Sequence, residues 1–287
     1  MSIQKYNLSS LYISPLESCN LACKICYTCK TKKQLTVKQV LDFITRFREK
    51  HNLEIVTFCG GEVFLLNWFV ECINKLTASN LVVEIITNGT IDNLDQISEP
   101  NKVNLIVSLD GLELSHDLNR GKGNFNLSLE FLKKATKLDF HIEIFSVVST
   151  NNFDEIDKFE DWLRNALGYL PEITYHPRKP LTYLNNHPIS NRVGESEVFG
   201  FLSDQQIKFL SEKKKVFPPK NFGCHQLSLM SDGMVYGCCE GINPVGKISD
   251  EIDYLTNQYK LRVDRYYKCV EPDFMCGLRD TCKENDE

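Results

Sequence analysis

The stretch Cys19–Cys26 reads CNLACKIC and places three cysteines at C-x3-C-x2-C spacing, directly after a predicted strand at Leu11–Ser14. Three thiolates on one short loop can bind three irons of a [4Fe–4S] cubane, which normally takes four cysteines. The fourth iron would then be open to another ligand. A structural zinc ion is the alternative, because Cys29 could complete a set of four sulfur ligands. The end of a strand is where parallel α/β barrels build their sites.

The composition argues against several classes of protein, namely nucleic-acid-binding, secreted and membrane proteins. Twelve of the 287 residues are cysteine, and 33 basic against 38 acidic residues give a net charge of −5, which argues against a strongly basic nucleic-acid-binding protein. The sequence shows no secretory signal and no apolar stretch long enough to span a bilayer, so we expect no membrane partner and a cytoplasmic location. Thiols stay reduced there, which favours metal or cluster ligands, with Cys59 and Cys72 as small buried side chains.

The first two thirds of the chain alternate between strand and helix patterns. Apolar residues at helical spacing follow a capping box formed by Thr36 and Gln39. About six strand–helix units can be recognised up to a short strand at Ile173–Tyr175. This alternation predicts an α/β fold with a parallel sheet and right-handed crossovers.

Short motifs stand at the ends of successive predicted strands. They are Phe58–Glu62 (FCGGE), Thr87–Gly89 (TNG), Ser108–Gly111 (SLDG) and, just after the last of these, Arg120–Phe125 (RGKGNF). Each is weak alone, but the five motifs in order, CNLACKIC included, resemble the pattern of the radical S-adenosylmethionine (SAM) enzymes over residues 8–180. Ile25 departs from the family's usual aromatic residue beside the third cysteine.

The resemblance implies a partial (βα)6 TIM-like barrel that binds two cofactors. Cys19, Cys23 and Cys26 would hold a [4Fe–4S] cluster whose open iron takes SAM. Reductive cleavage of SAM would give a 5′-deoxyadenosyl radical, while the protein orients the cofactor and excludes water. The residues expected around SAM are Gly60, Gly61, Glu62, Asn88, Ser108 and Arg120.

These residues have different expected roles. The two glycines would let the backbone approach the methionyl amino group, and Glu62 would offer a carboxylate near that group. Asn88 and Ser108 would bond the ribose or the carboxylate of SAM, and Arg120 would pair with that carboxylate as a planar fork. Strand-end capping is the alternative for Asn88 and Ser108, and a solvated loop position is the alternative for Arg120.

The lysine run Lys213–Lys215 followed by Val-Phe-Pro-Pro predicts a domain boundary, and the character of the chain changes from Cys224 onward. We therefore predict a barrel at 1–215 and a small second domain at 216–287. Apolar segments on both sides of Ser231–Gly233 predict a β-hairpin, and a helix is expected at Tyr254–Tyr267. Cys224 and Cys238 frame the hairpin, for which a zinc ribbon is the alternative. The pattern resembles the shortened SPASM, or Twitch, auxiliary-cluster domains of radical SAM enzymes.

That resemblance implies one auxiliary [4Fe–4S] cluster in the second domain. Its expected ligands are Cys224, Cys238, Cys276 and Cys282, with Cys269 or Asp273 as substitutes for the last two. Cys239 would point away from Cys238 as a buried thiol, because adjacent residues of a strand face opposite sides. Cys29 stays unassigned.

Together these patterns predict a radical SAM enzyme that abstracts a substrate hydrogen atom and drives an oxidative modification of a peptide or protein. The alternatives are dehydrogenation of a sugar or cyclitol and, in another class, a non-enzymatic zinc-binding protein. Side chains near the sixth strand and the domain junction could touch substrate or supply ordinary loop polarity; they are His176, Arg178, Tyr183 and His225. The family also implies a flavodoxin or ferredoxin as the electron donor.

Overall fold

A computed structural model of the chain describes residues 6–26, 30–178, 199–216, 226–239, 241 and 243–268. Several residues singled out in the sequence lie outside these ranges: Cys29, Tyr183, Cys224, His225, Cys269, Asp273, Cys276 and Cys282. The first cysteine cluster and all the residues expected around SAM lie within them.

The predicted alternation of strands and helices is confirmed. Six consecutive strands pair in parallel, each with the next; they are β1 (Ser10–Ile13), β2 (Ile55–Phe58), β3 (Val82–Thr87), β4 (Val103–Ser108), β5 (His141–Val148) and β6 (Glu172–Pro177). The crossover helices are α1 (Val37–Lys50), α2 (Phe69–Ala78), α3 (Glu113–Arg120), α4 (Asn124–Lys137) and α5 (Ile156–Leu167). Parallel strands joined by helices form the predicted α/β fold.

Helix α1 shows how the sequence sets these elements. The backbone N–H of Gln39 donates to the Thr36 hydroxyl at 3.2 Å, and the N–H of Thr36 donates to the Gln39 side chain at 2.9 Å, which is the predicted capping box. One face of the helix buries Val40, Phe43, Ile44 and Phe47. Each buried side chain of this size contributes about 2 kcal/mol, so packing against the sheet fixes the helix in place.

Helix α3 was not predicted from the sequence. Its two leucines point outward, with Leu114 86% and Leu118 36% exposed, while Ser115, His116 and Asn119 are buried. A search for apolar periodicity cannot find a helix whose buried face is polar. That polar face packs against the carboxyl ends of the strands, where Asn119 hydrogen-bonds to Asp110 after β4 and to the cysteine loop.

Further strands extend the sheet at both edges. The remaining elements are α6 (Asp204–Lys213), β7 (Lys215–Val216), β8 (Leu227–Leu229), β9 (Met234–Tyr236), β10 (Pro244–Lys247) and α7 (Ile252–Lys268). β8 and β9 form the predicted hairpin, with β10 as a third antiparallel strand, and α7 is the predicted helix. β8 also pairs in parallel with β1, and β7 pairs with β6.

The β8–β1 pairing joins the hairpin to the barrel. Leu227 and Leu229 pair with Leu11 and Ile13, and all four side chains are fully buried. The division at residues 215 and 216 stays a prediction, with one sheet running across it. No helix in the described ranges is both long and apolar enough to cross a membrane.

Candidate active site

A cavity of about 300 Å³ lies at the carboxyl ends of the parallel strands. All three cysteines of the first cluster line it. The other predicted residues in its lining are Gly60, Gly61, Asn88, Ser108 and Arg120. The structure therefore brings together every residue expected around the first cluster and SAM, except that Glu62 lies outside the lining.

Helix α3 holds the loop that carries the cysteines. The backbone N–H of Lys24 donates to the carbonyl of Asn119 at 2.9 Å, and the N–H of Ile25 donates to its side-chain oxygen at 3.2 Å. At the other end of the loop, the N–H of Leu21 donates to Cys19 Sγ at 3.4 Å. Asn119 thus fixes the segment between the second and third cysteines, and nothing in the sequence analysis had assigned it a role.

The donor groups suit an iron–sulfur cubane, because three thiols face one cavity and each iron takes its own thiolate. Within the described ranges, no three His, Cys, Asp or Glu side chains group around one point as the ligands of a single ion do. Burial raises the pKa of the Cys23 thiol, and the nearby Arg120 guanidinium acts in the opposite direction. Arg120 therefore favours the thiolate, which is the form that binds metal.

The two glycines after β2 allow the chain to approach the loop before the first cysteine. A Cβ atom on Gly61 would lie 1.9 Å from the carbonyl oxygen of Ser18, and one on Gly60 would lie 2.3 Å from that of Leu16. Gly60 also has a φ of +135°, a backbone conformation that residues with a side chain rarely adopt. The pair thereby positions the cysteine loop as well as lining the cavity. Its expected contact with the amino group of SAM stays a prediction.

Glu62 lies behind the cavity, where it is fully buried. It accepts hydrogen bonds from the Thr87 hydroxyl at 2.8 Å and from the backbone N–H groups of Asn88 at 2.8 Å and Phe64 at 3.2 Å. Burial raises the pKa of Glu62, and these three hydrogen bonds oppose the rise. All these contacts are with protein groups that tie β2 to the end of β3, and the expected contact with SAM stays a prediction.

Asn88 connects the end of β3 to the cysteine loop. Its Nδ2 donates to Asn20 Oδ1 at 2.9 Å and lies 3.8 Å from Cys19 Sγ, while its Oδ1 accepts from the backbone N–H of Thr90 at 2.9 Å. This is the strand-end capping that the sequence left as an alternative. Ser108 lines the cavity at the end of β4. Binding of SAM by these two residues stays a prediction.

The carboxylate of Asp110 organises the side of the cavity formed by β4 and β5. Arg120 Nε and Nη2 donate to its two oxygens at 2.7 and 2.8 Å, Asn119 Nδ2 donates at 2.7 Å, and the N–H of Val147 donates at 3.1 Å. Burial opposes ionisation of Asp110, but Arg120, His116 and Asn119 together outweigh it and the pKa is lowered. The planar fork expected for SAM is thus formed with Asp110, and pairing of Arg120 with SAM stays a prediction.

The second cysteine group is described only in part. Cys238, 2% exposed, is the one expected auxiliary-cluster ligand within the described residues, so the ligand set stays a prediction. The expectation that Cys239 is buried is wrong: it is half-buried and lines the cavity. The expectation that Cys59 is buried is wrong as well, because it is half-buried and lines the cavity, whereas Cys72 is fully buried as expected. Cys239 lies in a turn after β9, so the alternation of side chains along a strand does not apply to it.

The end of β6 supplies the wall of the cavity farthest along the sheet from β1. His176 and Arg178, both proposed from the sequence as substrate contacts, line it there. The His176 ring packs 4.5 Å from the ring of Phe145 on β5. Contact of either residue with substrate stays a prediction.

We expect Gly61→Ala to lower the free energy of unfolding by about 3 kcal/mol, because the new methyl group overlaps the Ser18 carbonyl. Reconstituted protein should also hold less iron, since the displaced segment leads into the cysteine loop. Gly123→Ala is the matched control: Gly123 has a φ of +87° and no atom within 4 Å of an added Cβ, so only backbone strain of about 1 kcal/mol is expected. Equal losses in urea denaturation of the two variants would contradict the steric argument.

We expect Asp110→Asn to destabilise the protein by about 4 kcal/mol, because it leaves the Arg120 guanidinium buried without its counter-charge. The double variant Asp110→Asn with Arg120→Gln removes that unpaired charge and should recover part of the loss. Chemical denaturation of the three proteins measures both effects. A single variant as stable as the wild type, or a double variant less stable than the single one, would contradict this account.

Comparison with known proteins places the fold among characterised structures. The chain superposes on Streptococcus suis SuiB, solved with its precursor peptide SuiA, with a TM-score of 0.70 at 12% identity, over 90% of this chain and 65% of SuiB. That similarity supports the partial TIM-like barrel as the fold.

Two relatives are similar in sequence. The sporulation killing factor maturation protein SkfB of Bacillus subtilis is 26% identical over 176 residues, 59% of this chain and 43% of SkfB. The mycofactocin maturase MftC of Mycolicibacterium smegmatis is 30% identical over 150 residues, 50% of this chain and 38% of MftC. The matched part is therefore less than half the length of either relative.

The sequence model of the radical SAM superfamily matches residues 13–163, which is more than half of the chain. This span contains the three cysteines that line the cavity and all the strand-end motifs around them. The chain therefore belongs to the radical SAM superfamily.

Proposed function

We propose that this protein is a radical SAM enzyme that oxidatively modifies a peptide or protein. The observation that carries the proposal is that Cys19, Cys23 and Cys26 face one cavity together with groups from the ends of β2, β3 and β4. When bound, the [4Fe–4S] cluster and SAM supply a 5′-deoxyadenosyl radical that abstracts a hydrogen atom from the substrate.

The chain's own residues hold and orient these groups. The three thiolates would bind the cluster, and Arg120 stabilises the negative charge of those of Cys23 and Cys26. Ser108 and the backbone at Gly60 would position SAM from neighbouring strand ends. Apolar side chains in the lining, Ile86, Phe145 and Val147, exclude water from the site where a reactive radical would form.

The proposal of a peptide substrate draws on the relatives. SkfB is a maturation protein, MftC is a maturase, and SuiB was solved with a precursor peptide. The matched region covers less than half of SkfB and MftC, so the substrate is an inference for this chain. Dehydrogenation of a sugar or cyclitol is the alternative outcome.

We further propose one auxiliary [4Fe–4S] cluster held by Cys224, Cys238, Cys276 and Cys282. The position of the hairpin supports it: β8 pairs with β1, and Cys239, next to Cys238, lines the cavity. A cluster bound there would be near the substrate and could accept an electron from it. A flavodoxin or ferredoxin in a reducing cytoplasm would supply electrons to the first cluster.

We expect the triple substitution of Cys19, Cys23 and Cys26 by Ala to remove about four irons per chain and to abolish formation of 5′-deoxyadenosine from SAM under reductant. Iron and sulfide analysis of anaerobically reconstituted protein, with chromatography of the nucleoside product, measures both. Cys72→Ala is the control, because this buried thiol lies on α2 outside the cavity and should leave iron content and activity unchanged. Nucleoside formation by the triple variant, or wild-type protein that binds zinc and no iron, would overturn the proposal.

We expect extract of the source cells to stimulate 5′-deoxyadenosine formation, and digestion of that extract with a protease to remove the stimulation. A peptide substrate is destroyed by proteolysis, whereas a sugar or cyclitol is not. The measurement is the initial rate of nucleoside formation with untreated and digested extract, the protease being inactivated before the assay. Stimulation that survives digestion would favour the small-molecule alternative.

A further inference from the structure

The cavity contains a buried arginine whose charge is not neutralised by any of the described residues. Arg178 follows β6 and is 7% exposed, and its backbone N–H donates to the carbonyl of Val148 at 2.7 Å. In the side chain, Nε and Nη2 are buried and have no hydrogen-bond partner in the part of the chain that the structure describes. Such a group is unusual, because buried guanidinium groups are nearly always paired.

The surroundings of Arg178 compensate its charge only weakly. Its guanidinium lies 4.4 Å from the centre of the Phe201 ring, a cation–π contact that replaces a fraction of the lost hydration. Burial lowers the pKa of Arg178, but an arginine remains charged at any physiological pH. Burial of this charge therefore lowers the stability of the folded protein unless a ligand supplies the counter-charge.

In the described part of the chain, the acidic groups at the cavity hydrogen-bond to partners other than Arg178. Asp110 is bound by Arg120, and Glu17, the acidic residue of the described lining, accepts from the hydroxyls of Ser231 and Thr31. The two arginines that line the cavity thus differ: Arg120 is neutralised by a carboxylate, whereas Arg178 pairs with no carboxylate that the structure describes.

The location of Arg178 separates it from the groups expected around SAM. Those groups stand on the cysteine loop and at the ends of β2, β3 and β4, whereas Arg178 stands at the end of β6, two strands beyond Ser108. An anion bound by Arg178 would therefore belong to the molecule that occupies the rest of the cavity. This step rests on the proposed function, in which that molecule is the substrate.

We propose that Arg178 binds a carboxylate of the substrate, so that the enzyme acts on a peptide with an acidic side chain or a C-terminal carboxylate at the site of modification. The two unpaired donors, Nε and Nη2, form the edge of a planar fork that matches the two oxygens of a carboxylate. The contact would hold the substrate at the β6 end of the cavity, with the neighbouring atoms toward the cluster.

The test compares acid and amide forms of small probes on the reconstituted holoenzyme with SAM. N-acetylglutamate α-amide against N-acetylglutamine α-amide tests a side-chain carboxylate, and N-acetylalanine against its amide tests a C-terminal one. The wild type should bind one of the acids about tenfold more tightly than its amide by isothermal titration calorimetry. Arg178→Gln should lose this preference, and Arg178→Lys, a point charge without the fork, should keep part of it.

Arg164→Gln is the matched control, because Arg164 is half exposed on α5 and pairs with Asp161 away from the cavity. It should keep the wild-type preference. No preference in the wild type, a preference that survives in Arg178→Gln, or a loss of SAM affinity in that variant would each overturn the proposal. Formation of 5′-deoxyadenosine without substrate is independent of it, so this inference can fail while the proposed function stands.

Discussion

The buried carboxylate of Asp110 is the group on which the geometry of the candidate site depends. It follows β4, receives the backbone N–H of Val147 from β5, and binds Arg120 and Asn119 from α3. Asn119 in turn holds the cysteine loop by two backbone contacts. One carboxylate thereby links two strands, a helix and the cysteine loop, and its charge-assisted hydrogen bonds offset the cost of burying it.

A second buried carboxylate, Glu62, holds the opposite side of the site but in a different electrostatic setting. Its partners are a hydroxyl and backbone N–H groups, so burial dominates and its pKa is raised, whereas Arg120 lowers that of Asp110. The contribution of Asp110 to stability is present above its unfolded pKa and declines as the pH falls. That of Glu62 is largest at low pH and declines as the pH rises through its folded pKa. As the pH falls, the contribution of Asp110 to stability therefore decreases, while that of Glu62 increases.

The strand ends and their glycine motifs could be predicted because local rules govern them: a buried strand needs apolar residues, and a tight approach such as that of Gly61 needs glycine. Helix α3 escaped prediction because its buried face is polar. The sequence also does not indicate which group each charged side chain pairs with. Whether Arg120 meets Asp110 or a cofactor depends on a fold that brings residues from two elements together, and residue type alone is compatible with both. The placement of Cys239 in the cavity likewise depends on the β8–β1 pairing.

The two arginines of the cavity show what tertiary structure adds to residue type. Both line the same cavity and both are largely buried, but Arg120 on α3 meets a carboxylate of its own chain, while Arg178 after β6 meets only an aromatic face and backbone among the described residues. Charge is consequently distributed unevenly across the cavity. On the β4 side the charge of Arg120 is neutralised by Asp110, whereas on the β6 side the charge of Arg178 has no counter-charge among the described residues. Electrostatic attraction acts over longer distances than packing, so an anionic group would be oriented toward β6 before the rest of a ligand settles. The remainder of that ligand would then lie toward the cysteine loop, which is where a hydrogen atom would have to be removed.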